Sequence, residues 1–531
     1  MFPVFRRKSW LSFVGFTRGD IVFYIILGIN LLLLSITRFY PSMDGPSHLY
    51  NSTLLANLFS NNDIISEFYI INKITIPNWS SHIFLALFNL IFPGWLAEKL
   101  FLYFYIIGMA LSFRYFLKQT NPQNTYLGIF IFPFSYTFLF HLGFYNFSLS
   151  FIFLFFTLAY YIKHIGSLSI RSHLILSVLL LLCYYSNILI FGLLGLSLGA
   201  YLVQYSIREY TKGMRDETAK LFFIKKIFYL FAASLPSLVF ALQFILQTNF
   251  FQSEQSYSTL EIIKWIFNVR PLIIYAYNSD MLLTTPFFFF LFILLLLRIV
   301  KRKKVSYNSV KTHFILLPLF LSLLLLFLIP EGSGAGMMST RLIIVVYMFV
   351  LLFIIPMAMN IRFNSIIIVA VVLLHVGLLL KHLNGTIKKL DKHAQALYET
   401  SNKIDNNSIV LPVNLSDHWI ELHLSNYLGA DKPLIILENY EAGTGWFPVS
   451  WNVKEMPHVL LANHSSTEGI AWPSNIHSSK RMTIDDVVIF GNIEKLQMDK
   501  WNELRVILSD NFRLDYTSPD RYVWLYKRIS D

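Results

Sequence analysis

Asp44 and His48 stand at the start of a predicted helix, just after the first long apolar run of the chain. A carboxylate held at a membrane surface can take the proton of an acceptor hydroxyl as a general base. On a helix that begins at Pro46, the spacing of four residues would bring Asp44 and His48 near one another. The same position suits a helix cap, because Asp is favoured just before the first turn and Pro within it. Capping and catalysis are both open for Asp44.

A glycine-rich segment, 330–341, could bind an anion. A turn of this kind at a helix start, here containing Gly334 and Gly336, can present backbone N–H groups to an anion. Arg341 could hold a phosphate through two parallel hydrogen bonds. The alternative is that the glycines only allow a tight turn and that Arg341 extends to lipid headgroups. The presence of Glu331 and the flexible backbone favours phosphate binding.

Further polar and aromatic side chains are candidates for substrate contact: His82, His141, Tyr145, Asn146, Tyr440 and Trp446. The alternative for His141, Tyr145 and Asn146 is an ordinary structural contact. The alternative for His82 is a place in the aromatic belt at the membrane interface. Metal-ligating side chains also occur in the tail, at Asp417, His418 and His423. Their spacing matches no zinc signature, which favours a solvated helix face, and no metal site is predicted.

The composition indicates which elements must position these residues. Of 531 residues, 55% are hydrophobic and only 14% are charged, whereas soluble domains carry about 25% charged residues. Apolar runs of about 20 residues recur, long enough to span a bilayer core of about 30 Å. The net charge of +12 lies in short Lys/Arg clusters between these runs, as in cytoplasmic loops, and not in a patch for nucleic acid. The one cysteine, Cys183, excludes a disulfide framework and a Cys-based zinc site.

Alternating these runs across a bilayer predicts a polytopic α-helical membrane protein with about eleven transmembrane helices. The first run, 20–40, is long and lacks a cleavage site, so it is predicted to be a retained helix with a cytoplasmic N-terminus. Residues 41–93 then form an outer loop, in which the apolar stretch 79–92 is too short to cross and is predicted to lie in the interface. Residues 1–381 are therefore assigned to the membrane domain.

Residues 382–531 are more charged, and their apolar runs are shorter. The patterning predicts a soluble α/β domain on the extracytoplasmic side, with strands at 408–413, 433–438, 486–490 and 522–526. Helices are predicted at 418–428 and 493–509. The bias towards Ile, Lys, Asn and Phe is typical of an AT-rich bacterial genome and hence of a bacterial inner membrane.

This architecture, with an acidic residue after the first helix, an interfacial segment, many further helices and an outer α/β domain, resembles the GT-C glycosyltransferases. The likeness is to the branch that uses polyprenyl-phosphate sugars, such as the aminoarabinose transferase and protein mannosyltransferase families. Asp44 matches the Asp that acts at the acceptor in that family, and Gly45 stands where the family usually has a Glu. The segment 77–94 resembles the family's juxtamembrane helix. Arg341 resembles a family arginine that meets the lipid phosphate.

The resemblance implies transfer of a sugar from a polyprenyl-phosphate donor to a hydroxyl of a glycan, lipid or protein acceptor on the extracytoplasmic face. Asp44 would act as the base, and His48 would orient Asp44 or the sugar. Arg341 and the turn 332–336 would hold the donor phosphate. The tail would cover the site, with the loop 439–446 facing the sugar. No cofactor is implied, and participation of a divalent cation is left open.

Two other functions are weighed against the transferase. A transporter or flippase for a lipid-linked or small substrate would carry ionisable residues deep in its spans, and the spans look poor in buried charge. A non-enzymatic membrane assembly protein would need far fewer helices to anchor its tail. Under every alternative the lipid bilayer is a partner and nucleic acid is not.

Overall fold

The computed structural model describes residues 18–167, 169–212, 216–248, 257–300, 312–333, 336–356, 365–452 and 484–529. Up to residue 400 the described chain is largely α-helical. Its helices are α1 Arg18–Ser35, α2 Gly45–Phe59, α3 Asp63–Phe68, α4 Ser80–Asn89, α5 Gly94–Thr120, α6 Phe138–His141, α7 Tyr145–His164, α8 Ile170–Ser186, α9 Ile188–Thr211, α10 Asp216–Gln247, α11 Thr259–Phe267, α12 Tyr277–Val300, α13 Leu316–Leu328, α14 Met338–Ile354, α15 Ser365–His382 and α16 Lys388–Thr400. Shorter 3-10 segments lie at Pro122–Ser135, Ile165–Ser167, Arg270–Leu272 and Thr312–Ile315.

Six of these helices are long and apolar enough to cross a membrane. The candidate spans are Gly94–Thr120, Tyr145–Ser167, Ile188–Thr211, Lys220–Gln247, Tyr277–Leu297 and Ile368–Lys403. The last of them continues from α15 through a π-helical turn, Leu383–Ile387, into α16. Helices of this length match the thickness of a bilayer core, and the chain is therefore a helical, membrane-embedded protein.

The prediction of about eleven full spans is wrong, because only six helices in the described ranges have the required length and hydropathy. Five shorter apolar helices take the other predicted positions: Gly19–Ser35, Thr125–Ser135, Ile170–Ser186, Thr312–Leu328 and Met338–Ile354. Asn187 separates α8 from α9, since its side chain accepts the N–H of Ile190 and caps α9. Pro133 lies inside a 3-10 segment, where its missing N–H does not favour a continuous α-helix.

The membrane part contains more buried charge than the sequence suggested. Four charged side chains within the candidate spans are at most 6% exposed: Glu98, Lys99, Lys226 and Asp280. Each lies within about the first two turns of its span, not at its middle. Asp280, for example, accepts the backbone N–H groups of the three residues 274–276 that directly precede α12. Such positions serve helix ends and not a pathway through the membrane centre.

The tail forms a mixed five-stranded sheet, in agreement with the predicted α/β architecture. In chain order the described strands are β1 Tyr69–Ile71, β2 Ile409–Leu415, β3 Ile435–Ile436, β4 Val449–Trp451, β5 Asp486–Gly491, β6 Phe512–Thr517 and β7 Val523–Arg528. The five strands of the sheet lie in the order β3-β2-β5-β7-β6. Strand β2 is parallel to β3 and β5, whereas β7 is antiparallel to β5 and β6.

The helical parts of the tail are shorter and more irregular than predicted. The segment Trp419–Gly429 is a 3-10 helix with a kink at His423. The predicted helix 493–509 is divided into two 3-10 turns, Ile493–Gln497 and Asp499–Trp501, followed by α18, Asn502–Asn511. A further short helix, α17 (Tyr440–Thr444), follows β3.

The tail docks directly on α2 of the outer loop. The hydroxyl of Tyr50 donates to the carbonyl of Leu434 at 2.6 Å and accepts the N–H of Ile436 at 3.1 Å. The amides of Asn51 and Asn439 form two reciprocal hydrogen bonds of 2.9 Å. Strands β1 and β4 pair antiparallel, which joins the outer loop to the tail a second time. Buried polar contacts of this kind fix one docking geometry, because each group left unpaired would cost free energy.

Asp486 is the first residue of β5, the central strand of the sheet, and allows a test of the fold. It is 3% exposed, and burial raises the pKa of its carboxyl to about 6 although Lys527 lowers it. The unfolded chain ionises near about 3.9, so the stability contributed by Asp486 falls as pH rises from about 4 to about 6 and stays low above that. Asp486→Asn should therefore raise the free energy of unfolding at neutral pH by about 2 kcal/mol.

The measurement is the unfolding of the purified chain in detergent at neutral pH and near pH 4. Most of the gain from Asp486→Asn should disappear at the lower pH, where the folded carboxyl group is protonated and the unfolded one is about half protonated. Asp499→Asn, at an exposed position of the same domain, is the control and should change stability at neither pH. A gain from Asp486→Asn that is equal at both pH values would contradict the buried-carboxylate explanation.

Candidate functional site

Asp44 occupies the N-cap position of α2, but its side chain makes no capping hydrogen bond. The cap is supplied by Ser42, whose Oγ accepts the N–H of Gly45 at 3.1 Å. Ser42 is itself held by the hydroxyl of Tyr145 at 2.9 Å. The structure therefore decides against the capping hypothesis and leaves the Asp44 carboxylate free for another role.

The backbone of Asp44 is held by the turn between α6 and α7. The N–H groups of Met43 and Asp44 donate to the carbonyls of His141 and Leu142, each at 3.0 Å. Gly143 follows with φ +84°, and a Cβ at that position would lie 2.7 Å from the nitrogen atoms of Asp44 and Gly45. Glycine is needed here for both the left-handed conformation and the close approach. The turn thus determines where the Asp44 side chain points.

The carboxylate of Asp44 faces a cavity of about 280 Å³. The cavity walls combine one carboxylate, one guanidinium, one imidazole, three amides, a hydroxyl and five aromatic rings. They are formed by Asp44, His48, Asn78, Phe144, Asn146, Phe147, Asn187, Arg341, Tyr440, Thr444, Trp446 and Phe447. Small-molecule sites typically have volumes of about 300–1,000 Å³, so the cavity suits one compact polar group rather than a whole lipid.

Arg341 is buried at the start of α14 and lines the same cavity as Asp44. Its guanidinium lies 4.5 Å from the ring centroid of Phe144 and 5.6 Å from that of Phe147. Aromatic faces on a guanidinium stabilise its charge and fix its direction. The cavity therefore has a positively charged wall as well as a carboxylate.

The described part of the glycine-rich turn before Arg341 forms the entry into α14. Glu331 caps α14, because its Oε2 accepts the N–H of Ser339 at 2.8 Å. Gly336 has φ +75° and is not among the residues that line the cavity. Gly334 lies outside the described residues. Within the described part of the turn, the contacts therefore shape the entry into α14.

A second imidazole, that of His423, stands beside Asp44. Its Nε2 lies 3.8 Å from Oδ1 of Asp44, and its Nδ1 lies 2.7 Å from Oε1 of Glu438. The ring of His423 stacks on that of Tyr440 at 4.2 Å between centroids, and the phenol of Tyr440 also neighbours Asp44. His423 is 4% exposed, so its sequence-based assignment to a solvated helix face is wrong.

Burial raises the pKa of Asp44 to about 6, although His423 and His48 nearby lower it. The Oδ1 atom is buried and has no hydrogen-bond partner. At neutral pH the carboxylate is therefore ionised and more basic than an ordinary Asp, as a proton acceptor should be.

His48 and His82 both turn towards Glu441 of the tail. Nδ1 of His48 and Nε2 of His82 each lie 2.7 Å from one of the two carboxylate oxygens. All three residues are buried. Although burial by itself raises it, the pKa of Glu441 is lowered to about 2, because the two imidazoles stabilise the carboxylate. The ring of His48 thus contacts Glu441, and it also lines the cavity that Asp44 faces.

The remaining predicted residues separate into those at the cavity and those behind it. Asn146 lines the cavity and binds the chain at 78–81, accepting the N–H of Ser81 at 2.8 Å. Trp446 also lines the cavity and packs edge-on against Phe244. Tyr145 lies behind Asp44, and His141 is bonded to the hydroxyl of Tyr40 at 3.2 Å. Neither Tyr145 nor His141 is among the lining residues.

Sequence reasoning missed His423, Glu438 and Glu441 as members of this site. They stand far from Asp44 along the chain, and only the docking of the tail on α2 brings them close to it. The sequence contained one indication for Glu441, because this residue lies in the loop 439–446, which was predicted to face the sugar.

No family model matches the chain, and no curated protein matches it significantly. The chemistry must therefore be inferred from the geometry. The cavity places a basic carboxylate and a guanidinium on its walls, among aromatic rings and amides. It also borders a membrane-embedded helical domain. Such a site can bind a compact group that carries both hydroxyls and an anion, and can accept a proton from it.

Proposed function

We propose that this chain is a membrane glycosyltransferase of the GT-C type. It transfers a sugar from a polyprenyl-phosphate donor to a hydroxyl of a glycan, lipid or protein acceptor at the extracytoplasmic face. The observation that carries the proposal is that Asp44 and Arg341 line the same cavity. Oδ1 of Asp44 is buried there without a hydrogen-bond partner.

The composition of the cavity supports a sugar phosphate as the ligand. Amides such as Asn78 and Asn187 suit the many hydroxyls of a sugar, and aromatic rings such as Trp446 suit its apolar faces. Arg341 suits a phosphate, because a planar guanidinium can donate two parallel hydrogen bonds to it. The volume of about 280 Å³ matches the headgroup, while the lipid chain would lie among the apolar helices.

The proposed reaction is a single inverting displacement. The acceptor oxygen attacks the anomeric carbon and forms the new glycosidic bond as its proton passes to Asp44. The bond between the anomeric carbon and the phosphate oxygen breaks, and the lipid phosphate leaves with the electron pair. Because the leaving group is an anion that needs no proton, stabilisation by Arg341 is its main requirement.

His423 is the proposed positioning group for Asp44. With Nδ1 held by Glu438, its Nε2 faces Oδ1 of Asp44 at 3.8 Å and can stabilise the ionised carboxylate. The pKa of His423 is raised: burial lowers it, but the carboxylates of Glu438 and Asp44 outweigh burial. The tail thereby takes part in the proposed site and does not merely cover it.

The rival functions receive less support from the same observations. A transporter would need ionisable groups at the membrane centre. The buried Asp, Glu and Lys side chains at most 6% exposed in the described spans lie near helix ends, and the buried His375 inside the last span is bonded to Asn30 at 2.8 Å. A purely structural assembly protein gives no reason for a buried carboxylate oxygen that lacks a hydrogen bond in a cavity that a buried arginine also lines, because burying charged groups without full hydrogen bonding costs stability.

Replacement of Arg341 tests the phosphate-binding half of the proposal. We expect Arg341→Gln to weaken binding of undecaprenyl phosphate to the purified chain about 10- to 100-fold, since hydrogen bonds to charged groups contribute about 1.5–3 kcal/mol. Binding can be measured by native mass spectrometry or by quenching of tryptophan fluorescence in detergent.

Arg270→Gln is the matched control. Arg270 also lies 4.5 Å from an aromatic ring centroid, that of Phe138, but is not among the cavity residues. Its replacement should leave the affinity unchanged. If the two variants bind undecaprenyl phosphate equally well, Arg341 does not hold the donor phosphate.

A further inference from the structure

A triad formed by His48, His82 and Glu441 lies at the edge of the cavity, which His48 lines, and it has no part in the proposed transfer step. The three residues come from α2, α4 and α17, two elements of the outer loop and one of the tail. One donor atom from each lies within 4.8 Å of the others. All three side chains are buried, with exposures of 2%, 0% and 0%.

The outer nitrogen atoms of both rings have hydrogen-bond partners. Nε2 of His48 lies 2.9 Å from the carbonyl oxygen of Gly143. Nδ1 of His82 lies 3.4 Å from Oγ of Ser81, and the backbone of Asn78 is also close to the ring of His82. An imidazole that donates its N–H to a carbonyl presents the lone pair of its other nitrogen in the opposite direction. This is the usual arrangement of metal-binding histidines, since the second hydrogen bond fixes the tautomer and ring orientation.

The distances between the inner donor atoms suit a small divalent ion. Nδ1 of His48 and Nε2 of His82 are 3.3 Å apart. Two donors of a tetrahedral zinc ion lie about 3.3 Å apart when each bond is about 2.0 Å long. The carboxylate oxygens of Glu441 are 2.7 Å from these nitrogens, so a small outward shift of the carboxylate would complete one face of a tetrahedron.

Hydrogen bonding alone leaves the triad incompletely satisfied. Oε1 of Glu441 is buried without a hydrogen bond of proper geometry, although Nδ1 of His48 is 2.7 Å away. A single proton shared with Glu441 would leave one of the two imidazole lone pairs facing a carboxylate oxygen. A cation at the centre would be attractive to all three groups at once.

We propose that His48, His82 and Glu441 bind a divalent transition-metal ion, with zinc as the preferred ion. Two imidazoles and one carboxylate are a frequent zinc donor set, and three protein ligands leave a fourth position for water or substrate. Because Glu441 belongs to the tail and both histidines to the outer loop, the ion would also fasten the tail to the membrane domain. This inference does not depend on the transfer reaction, because it concerns metal binding alone.

The test is a zinc titration of the purified full-length chain in detergent, after removal of metal with a chelator. We expect about one zinc ion per chain for the wild type, measured by mass spectrometry of the bound metal. Glu441→Gln and His82→Asn should each weaken zinc binding at least about 100-fold, because each removes one of three ligands. Zinc should raise the thermal unfolding midpoint of the wild type and not that of the variants.

His393→Asn is the control for the loss of a partly buried histidine that contacts a carboxylate. His393 also bonds a carboxylate, that of Glu421, in the same tail, but a second imidazole does not join this pair in the described residues. It should bind zinc like the wild type. Binding to Glu441→Gln that equals binding to the wild type would overturn the proposal.

Cobalt provides a readout that does not require the variants to fold. Co²⁺ added to the stripped wild-type chain should produce visible absorption bands of a tetrahedral or five-coordinate site, and zinc should displace them. If the wild-type chain binds neither Zn²⁺ nor Co²⁺, the triad is stabilised by a proton shared between Glu441 and an imidazole, and the proposal is wrong. Neither outcome alters the expected effect of Arg341→Gln on lipid phosphate binding.

Discussion

Asp44→Asn should reduce the rate of sugar transfer about 10²- to 10⁴-fold, the range usually lost with a general base. The amide has nearly the same shape but cannot accept the proton of the acceptor hydroxyl. The helix should be unaffected, because Ser42 and not Asp44 supplies the capping hydrogen bond of α2. Binding of undecaprenyl phosphate should also be retained, since Arg341 remains in place. The loss should therefore appear in turnover and not in affinity for the donor.

The measurement is transfer of labelled sugar in membrane vesicles that contain the variant at matched expression. A panel of labelled polyprenyl-phosphate hexoses and pentoses would serve as donors, with release of free polyprenyl phosphate as the readout. Asp63→Asn is the matched control, because Asp63 begins a helix in the same outer loop but is exposed. Full activity of Asp44→Asn would refute the role of Asp44 as the base, whereas a wild-type chain that transfers no sugar from any donor would favour a transporter or an assembly protein.

Gly143→Ala should destabilise the folded chain by about 3 kcal/mol or more and abolish transfer. The alanine would have to adopt the left-handed conformation at φ +84°, which costs about 1–3 kcal/mol for a residue other than glycine. Its Cβ would also lie 2.7 Å from the backbone nitrogens of Asp44 and Gly45, so either the backbone at 143 or the backbone at 44–45 must move. Either movement displaces the Asp44 carboxylate from the cavity.

Thermal unfolding in detergent and the transfer assay together measure this effect. Gly192→Ala is the control, because an added Cβ in this part of α9 meets no atom within 4 Å. A glycine inside a helix is less favourable than alanine by about 1 kcal/mol, so this control should be neutral or slightly stabilising. If Gly143→Ala behaves like Gly192→Ala, the turn at 141–143 does not control the position of Asp44.

The limits of sequence reasoning are clearest for the helices. Apolar runs predicted the membrane class correctly, because the cost of burying polar groups in lipid acts on every residue of a span. They did not predict which runs become full spans. Helix length depends on local interruptions, such as the cap at Asn187 and Pro133 in a 3-10 segment. It also depends on burial among neighbouring helices, which a hydropathy pattern does not record.

Asp44 and Arg341 were identified from the sequence alone, since each follows an apolar run and has a side chain suited to chemistry at a membrane surface. The sequence did not predict that the two residues lie close together, because they come from the starts of α2 and α14 and line one cavity only in the folded chain. The same is true of His48, His82 and Glu441. No spacing rule predicts a ligand set drawn from three separate helices.

The amino-acid sequence by itself determined that this protein lies in a membrane, that its tail is an α/β domain, and that a carboxylate and an arginine stand at helix starts. These properties follow from local patterns of hydropathy and residue type. Only the tertiary structure decided that Asp44 is not a cap and that the tail contributes His423 and Glu441. Those outcomes depend on contacts between distant segments, whose free energy belongs to the packed chain and to no single stretch of it.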